Sequence, residues 1–343
     1  MKKNPLILPE RRQRILNIIV SEYIASGVPV GSEYIARGYR LRVSPATIRN
    51  EMACLEEQGF IVRPHISAGG LPSDRGYRFY VESLMQESGI DLEEREAIRN
   101  LFREAGQDPD QWARLAVSIL TRKLHSIALA TPPRTAKCHF RRVDLVNVGD
   151  LLVLVIVVLE EWRIRQRILG LEIPVGQDVL EAMVTKMNEL FHGLTSKEIR
   201  QRARGLSPLE ARVTQAVVEV METEDMASRE QFYVDGWRYL LDQTEFLRSR
   251  CVQGLARALE EGSLLPSLSR SLEEDSRVKV TIGRENQETY LEECTVIMSS
   301  YGSAGRRGTV GIIGPKRLPY NRAIPVIEYI TEVMSDLVNE AYT

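Results

Sequence analysis

Apolar residues in the first part of the chain recur at helical spacing twice and at strand spacing afterwards. Between Glu10 and Ser26, Ile15, Leu16, Ile18, Ile19, Tyr23 and Ile24 form one stripe, and Gly27 stops it. From Pro45 to Gln58, Ile48, Met52 and Leu55 recur at spacings of four and three, which turns Thr47, Arg49, Asn50 and Glu51 to the other side. Both ends of this helix are marked: Ser44 can cap it, Pro45 suits its first position, and Gly59 supplies a left-handed stop. In between, Val28-Pro29-Val30-Gly31 reads as a turn, and Ser32 as the cap of a short helix from Glu33 to Arg37 that ends before Gly38. Phe60-Ile61-Val62-Arg63 and the stretch around Leu71 are short strand candidates, with Ala68-Gly69-Gly70 able to take the positive φ values of a tight connection. The order predicts a winged helix-turn-helix and its exit helix, Ser73 to Gly89, within residues 1–90.

Farther on, Asp91 to Arg103 is helical, Gly106-Gln107-Asp108-Pro109 is a boundary, and residues 110–131 read as an amphipathic helix with Trp112, Leu115, Ile119 and Leu120, closed by Pro132-Pro133. Three strands follow, Phe140 to Val148, Leu151 to Leu159 and Trp162 to Leu169. The turn-length breaks Gly149-Asp150 and Glu160-Glu161 imply an antiparallel meander. Leu151 to Leu159 reads as a strand buried on both faces. Helical patterns occupy Asp178 to His192, Ser196 to Arg204, Pro208 to Met221 and Glu245 to Glu261, around a short strand at Gln231 to Val234. Strands return at Arg277 to Gly283, Glu293 to Tyr301 and Thr309 to Ile313, before a last helix from about Ala323 to Glu340. The expected class is α+β: a sheet domain over 91–172 and 276–343, its second strands completing the first, interrupted by a mainly helical insert over 173–275.

Charge changes the picture. The net charge of −2 over 343 residues hides an asymmetry: residues 1–80 carry twelve Lys or Arg against seven Asp or Glu, a net of +5, and the remainder 33 against 40, a net of −7. A basic head on an acidic body is the footprint of phosphate binding by one part only. A hydrophobic content of 43% supports real cores. Leu6-Ile7-Leu8 before Pro9 is too short for a secretory core, and the apolar run Leu151 to Leu159 falls well below the roughly 20 residues of a membrane-spanning helix, so a cytoplasmic location and no membrane partner are expected.

Cys54, Cys138, Cys251 and Cys294 show no CxxC spacing and the four histidines are dispersed, so neither metal nor cofactor is expected, and a reducing compartment fits. The loop Gly302-Ser303-Ala304-Gly305-Arg306-Arg307-Gly308 joins two strands and lacks the Lys-Ser/Thr of a phosphate cradle, so it reads as a hairpin. No GxSxG or HExxH occurs, which argues against an enzyme.

The chemistry therefore points to double-stranded DNA. Arg49 can reach guanine O6 and N7, Asn50 can reach adenine, and Thr47 can touch a phosphate or a thymine methyl. The alternative is phosphate contact by Arg49 and support of the hairpin by Asn50. His65 either packs in the hairpin or reaches a phosphate. With Ser44, Arg63, Ser67, Arg75 and Arg78, these are the candidate DNA-binding residues.

Several runs carry a family resemblance: Pro29-Val30-Gly31-Ser32, Ser44-Pro45-Ala46-Thr47-Ile48-Arg49-Asn50-Glu51-Met52, Leu55-Glu56, Gly59, Pro64-His65, Ser67-Ala68-Gly69, and Pro72-Ser73 through Gly76-Tyr77-Arg78-Phe79-Tyr80-Val81. Farther along stand Leu194-Thr195, Phe232-Tyr233-Val234-Asp235-Gly236, Leu240-Leu241, Glu245-Phe246, Ile282-Gly283 with Glu285-Asn286, and Gly311-Ile312-Ile313-Gly314-Pro315. Nearly the whole chain resembles the heat-inducible transcription repressor family, HrcA. The resemblance implies a GAF-like domain interrupted by an inserted dimerising domain, and a homodimer on an inverted repeat called CIRCE ahead of chaperone operons. It also implies release on heat stress and help from the GroE chaperonin in reaching the active fold. Two positions depart: the family usually has arginine after the glycine of the wing, where this chain has Gly70, and Trp237 stands where a small polar residue is preferred. A competing expectation is a winged-helix regulator whose GAF-like domain senses a small molecule.

Overall fold

Three helices and a hairpin form where the pattern requires them. In the computed structural model, α1 (Glu10–Ser26), α2 (Ser32–Gly38) and α3 (Pro45–Glu57) are followed by β1 (Ile61–Val62) and β2 (Leu71–Pro72), which pair antiparallel. The residues described are 8–65, 68–84, 89–135, 137–160, 163–230, 232–243, 246, 250–269, 278–303 and 305–342. Ser44 caps α3 by accepting the Thr47 amide at 3.2 Å, and Gly27 and Gly59 follow α1 and α3 with φ of +68° and +73°. Ser32 lies inside α2 and Gly31 takes its cap position. Gly69 and Gly70 do not adopt positive φ as expected. Glycine is required at 69 by close approach instead: a Cβ there would stand 2.5 Å from the Pro29 carbonyl carbon. Gly70 meanwhile exchanges two backbone hydrogen bonds with Val30.

Next come α4 (Asp74–Leu84), α5 (Leu92–Glu104) and α6 (Pro109–Leu124), then β3 (Ile127–Ala130). The helix expected over 110–131 is therefore too long. His125 takes the left-handed φ of +47°, α6 stops, and the continuous apolar run that follows is a buried strand. Short apolar runs do not distinguish the end of a buried helix from a buried strand, and here tertiary pairing decides.

The chain divides into two compact units, Met1–Pro133 with Phe232–Ser303 and Gly308–Thr343, and Arg134–Gln231 with Ala304–Arg307. In the second, β4 (Arg134–Thr135) pairs with Arg306 and Arg307, and the meander is β5 (Phe140–Gly149), β6 (Leu152–Leu159) and β7 (Ile164–Gly170). Trp162, the expected start of the third strand, lies outside the described residues. Packed on the meander are α7 (Gln177–Phe191), α8 (Ser196–Arg202) and α9 (Pro208–Glu230), whose core includes Phe140, Val155, Val157, Met187, Phe191 and Val217. Burial along β6 alternates, so this strand is covered on one face and not on both as expected. Val146, Leu152, Ile164 and Ile168 are left exposed on the other.

The first unit resumes with β8 (Tyr233–Asp235), α10 (Trp237–Leu241), α11 (Arg250–Glu260), α12 (Leu264–Ser269), β9 (Lys279–Ile282), β10 (Cys294–Ser303), β11 (Arg306–Pro315) and α13 (Tyr320–Tyr342). Its sheet runs β8-β3-β11-β10-β9. Alternation along β3 serves both faces: Ala128 and Ala130 join the core with residues of α6 and α13, and Ile127 and Leu129 join the core with residues of α10, α11 and α12. This corrects the expected sheet and its boundaries. The meander does not join the C-terminal strands, the segment set apart runs from Arg134 to Gln231, and residues 233–269 cover the main sheet. Strand pattern does not specify strand partners.

Phe140 and Phe191 meet edge to face at 6.1 Å in the second core, both fully buried. Phe191→Ala is expected to cost about 3–5 kcal/mol in urea unfolding of the second unit; a loss under about 1 kcal/mol would contradict this packing.

Candidate nucleic-acid interface

Ile48, Met52 and Leu55 bury one side of α3 against α1, leaving Pro45, Ala46, Arg49 and Asn50 exposed. The side chains of Arg49 and Asn50 make no hydrogen bond or ion pair among the described residues. Thr47 is half-buried, with its hydroxyl 3.0 Å from that of Ser44, so these two serve the helix end first. Glu51, expected on the open side, is only 15% exposed: Arg12 Nε reaches it at 2.9 Å and Arg11 Nε at 3.2 Å. With the acid neutralised by α1, the open side presents a cation and an amide.

The remaining arginines of the expected set are committed elsewhere. Arg63 pairs with Glu56 of α3, tying the hairpin to the helix and holding the Glu56 carboxyl below its usual range. Arg75 donates to the Gln58 carbonyl at 2.7 Å, at the end of α3, and lies over the Phe60 ring at 4.4 Å. Arg78 clamps Glu285 and donates to the Val280 carbonyl at 2.6 Å. Beside it, Asp74 pairs with Lys316 at 2.8 Å and accepts the Arg284 amide at 3.0 Å. These three cations build the head and its mount. His65 is exposed and its side chain has no partner among the described residues, whereas Ser67 lies outside them.

Gly70 is buried, and a Cβ there would meet Ile61 at 3.0 Å and Met52 at 3.2 Å. An arginine in its place must first displace core side chains. Two cations outside the expected set, Arg40 and Arg42, are exposed between α2 and α3. The signal that finds them is the alternation of Tyr39, Leu41 and Val43 with two arginines.

Residues 110–324 match the family described as HrcA protein C terminal domain. The heat-inducible transcription repressor HrcA of Dehalococcoides mccartyi is 36% identical over 338 residues, spanning 98% of this chain and 97% of that protein. The protein of that name from Herpetosiphon aurantiacus is 36% identical over 98% of this chain and 97% of its own length. That from Thermomicrobium roseum is 34% identical over 97% and 96%. A solved structure described as a hypothetical protein at 2.2 Å resolution is similar with a TM-score of 0.65 and 26% identity, over 98% of this chain and 100% of that one. The class is that of transcription repressors, which are not enzymes. The chain belongs to the HrcA family of heat-inducible transcription repressors.

Glu22 of α1 accepts the Tyr34 hydroxyl at 2.5 Å and also that of Tyr39, fastening α2 and the chain after it. These bonds hold the Glu22 carboxyl below its ordinary 4.5, and the bond to Glu22 pushes Tyr39 up to about 12. The depressed acid contributes stability that is present above pH 4.5 and lost as pH falls through the folded value. The raised phenol contributes stability that is present below pH 10 and lost as pH rises through about 12. Glu22→Gln should flatten the acid limb of a Tm against pH profile followed by circular dichroism; superimposable acid limbs would refute the clamp.

Proposed function

We propose that residues 8–84 form a winged helix-turn-helix that lays α3 in the major groove of double-stranded DNA. A homodimer would do so twice, on an inverted-repeat operator ahead of chaperone operons. The observation that carries this reading is the pair Arg49 and Asn50, whose side chains are exposed and without a partner among the described residues on a helix capped by Ser44, while Glu51 is drawn away by Arg11 and Arg12. Arg49 reads guanine O6 and N7 and Asn50 reads adenine. The basic head supplies the salt-dependent attraction to phosphate.

The five-strand path β8-β3-β11-β10-β9 with helices on both faces is read as the GAF-like domain, and the Arg134–Gln231 segment as the inserted dimerisation domain. The meander's uncovered face supports that assignment: Ile164 and Ile168 are each 62% exposed, beside Leu152 and Val146. An apolar sheet face of this kind suits a second copy of the same face. Two linked heads bind an inverted repeat far more tightly than one, so heat that separates the dimer forfeits the shared affinity and releases the operator. The GroE chaperonin enters this reading from the family resemblance alone, as the helper toward the active fold in the cytoplasm.

Arg49→Ala or Asn50→Ala should each reduce discrimination between an inverted-repeat duplex and a scrambled one by about 1–3 kcal/mol in fluorescence anisotropy. Unchanged discrimination in both variants would overturn the assignment of readers. Replacing Ile164 and Ile168 with glutamate should convert dimer to monomer in sedimentation velocity and weaken operator binding; a dimer that persists would remove the meander from the interface.

A further inference from the structure

Besides His125, Arg42 is the one described non-glycine residue with positive φ, +54°, a region that disfavours residues with a Cβ. It stands two positions ahead of the Ser44 cap of α3. A glycine would take this turn without strain, yet a long cation occupies it. The neighbouring residues aim it outward. Tyr39 is tied to Glu22, and Leu41 and Val43 pack against the core of the head, so the intervening Arg40 and Arg42 are exposed. Neither makes a hydrogen bond or ion pair among the described residues. Apart from Arg49 of the reading helix, several of the head's other arginines behave differently: Arg11, Arg12, Arg63 and Arg78 each hold a carboxylate of the same unit.

We propose that Arg40 and Arg42 form a phosphate clamp at the leading end of α3, gripping the DNA backbone beside the groove that Arg49 and Asn50 read. The inference rests on the DNA-binding reading and deepens it. Half-buried Leu41, packed against the core of the head, anchors the segment, so the two guanidinium groups are presented from a braced turn. Backbone contacts carry affinity and register but no sequence information, so this clamp sets how tightly the reading helix is held and not which bases it prefers. A residue kept in an unfavourable backbone region at an exposed and unpaired site points to a role outside folding.

The test uses the full-length chain and two duplexes: the symmetric sequence that the wild-type chain recovers from a random pool, and its scrambled counterpart. Affinity is measured across a salt series for wild type, Arg40→Ala, Arg42→Gly, Arg42→Lys and, as a charge-matched control on α11, Arg257→Ala. Arg42→Gly relieves the backbone, so its Tm should equal or exceed that of wild type. Its log–log salt slope should nevertheless be shallower by about 0.9 for each head on the DNA, and so should that of Arg40→Ala. Binding should weaken to the same degree on both duplexes, whereas Arg42→Lys and Arg257→Ala keep the wild-type slope. Wild-type slopes in Arg40→Ala and Arg42→Gly, or an equal decrease in Arg257→Ala, would overturn the clamp while leaving the reading helix intact. A wild-type chain that recovers no duplex would overturn both.

Discussion

The burial of Ile48, Met52 and Leu55 against α1 is the constraint on which the rest of the head depends. Ile15, Leu16 and Ile19 on the facing helix are fully buried, so α3 cannot rotate about its axis without exposing core residues. That rotation decides which residues remain for another molecule. It sends Arg49 and Asn50 outward and brings Glu51 within reach of Arg11 and Arg12, so the carboxylate that would repel phosphate is neutralised by the same packing. Gly70 belongs to this arrangement. Its backbone pairs with Val30, and its missing side chain leaves room for Ile61 and Met52 behind the helix.

A second layer of contacts fixes the head on the sheet of its own unit. Tyr77 of α4 packs on the buried Tyr320 with ring centroids 6.0 Å apart, and Arg78 and Asp74 add a polar latch to Glu285, Val280, Arg284 and Lys316. One apolar cluster runs from α1 through α4 into α6 and α13. Much of the positive charge of residues 1–80 is therefore spent on construction. Among the described residues, the arginines of this segment without a side-chain hydrogen bond or ion pair, Arg40, Arg42 and Arg49, stand at the leading end and open side of α3.

Much of the head was legible because its signals are local. A cap at Ser44, a left-handed Gly59 and spacings of four and three at Ile48, Met52 and Leu55 each depend on a few neighbouring residues. What was not legible depends on distant partners. Nothing near Arg78 announces Glu285, more than two hundred positions away, and nothing in Ile127–Ala130 says that it pairs with Val310–Ile313. Missing that one strand moved the meander into the wrong sheet. Among the candidate site residues, the exposure of Arg49 and Asn50 was legible from the face opposite the apolar stripe. The intramolecular partners of Arg63 and Arg75 were not legible, because a guanidinium near an interface and one that caps a helix or answers a glutamate look alike in sequence.

The most direct measurement is selection of bound duplexes from a random pool by the purified chain at physiological ionic strength. The account predicts enrichment of one inverted repeat, with two equivalent half-sites related by the twofold axis of a dimer. Recovery of unrelated sequences, or of a motif without internal symmetry, would contradict it.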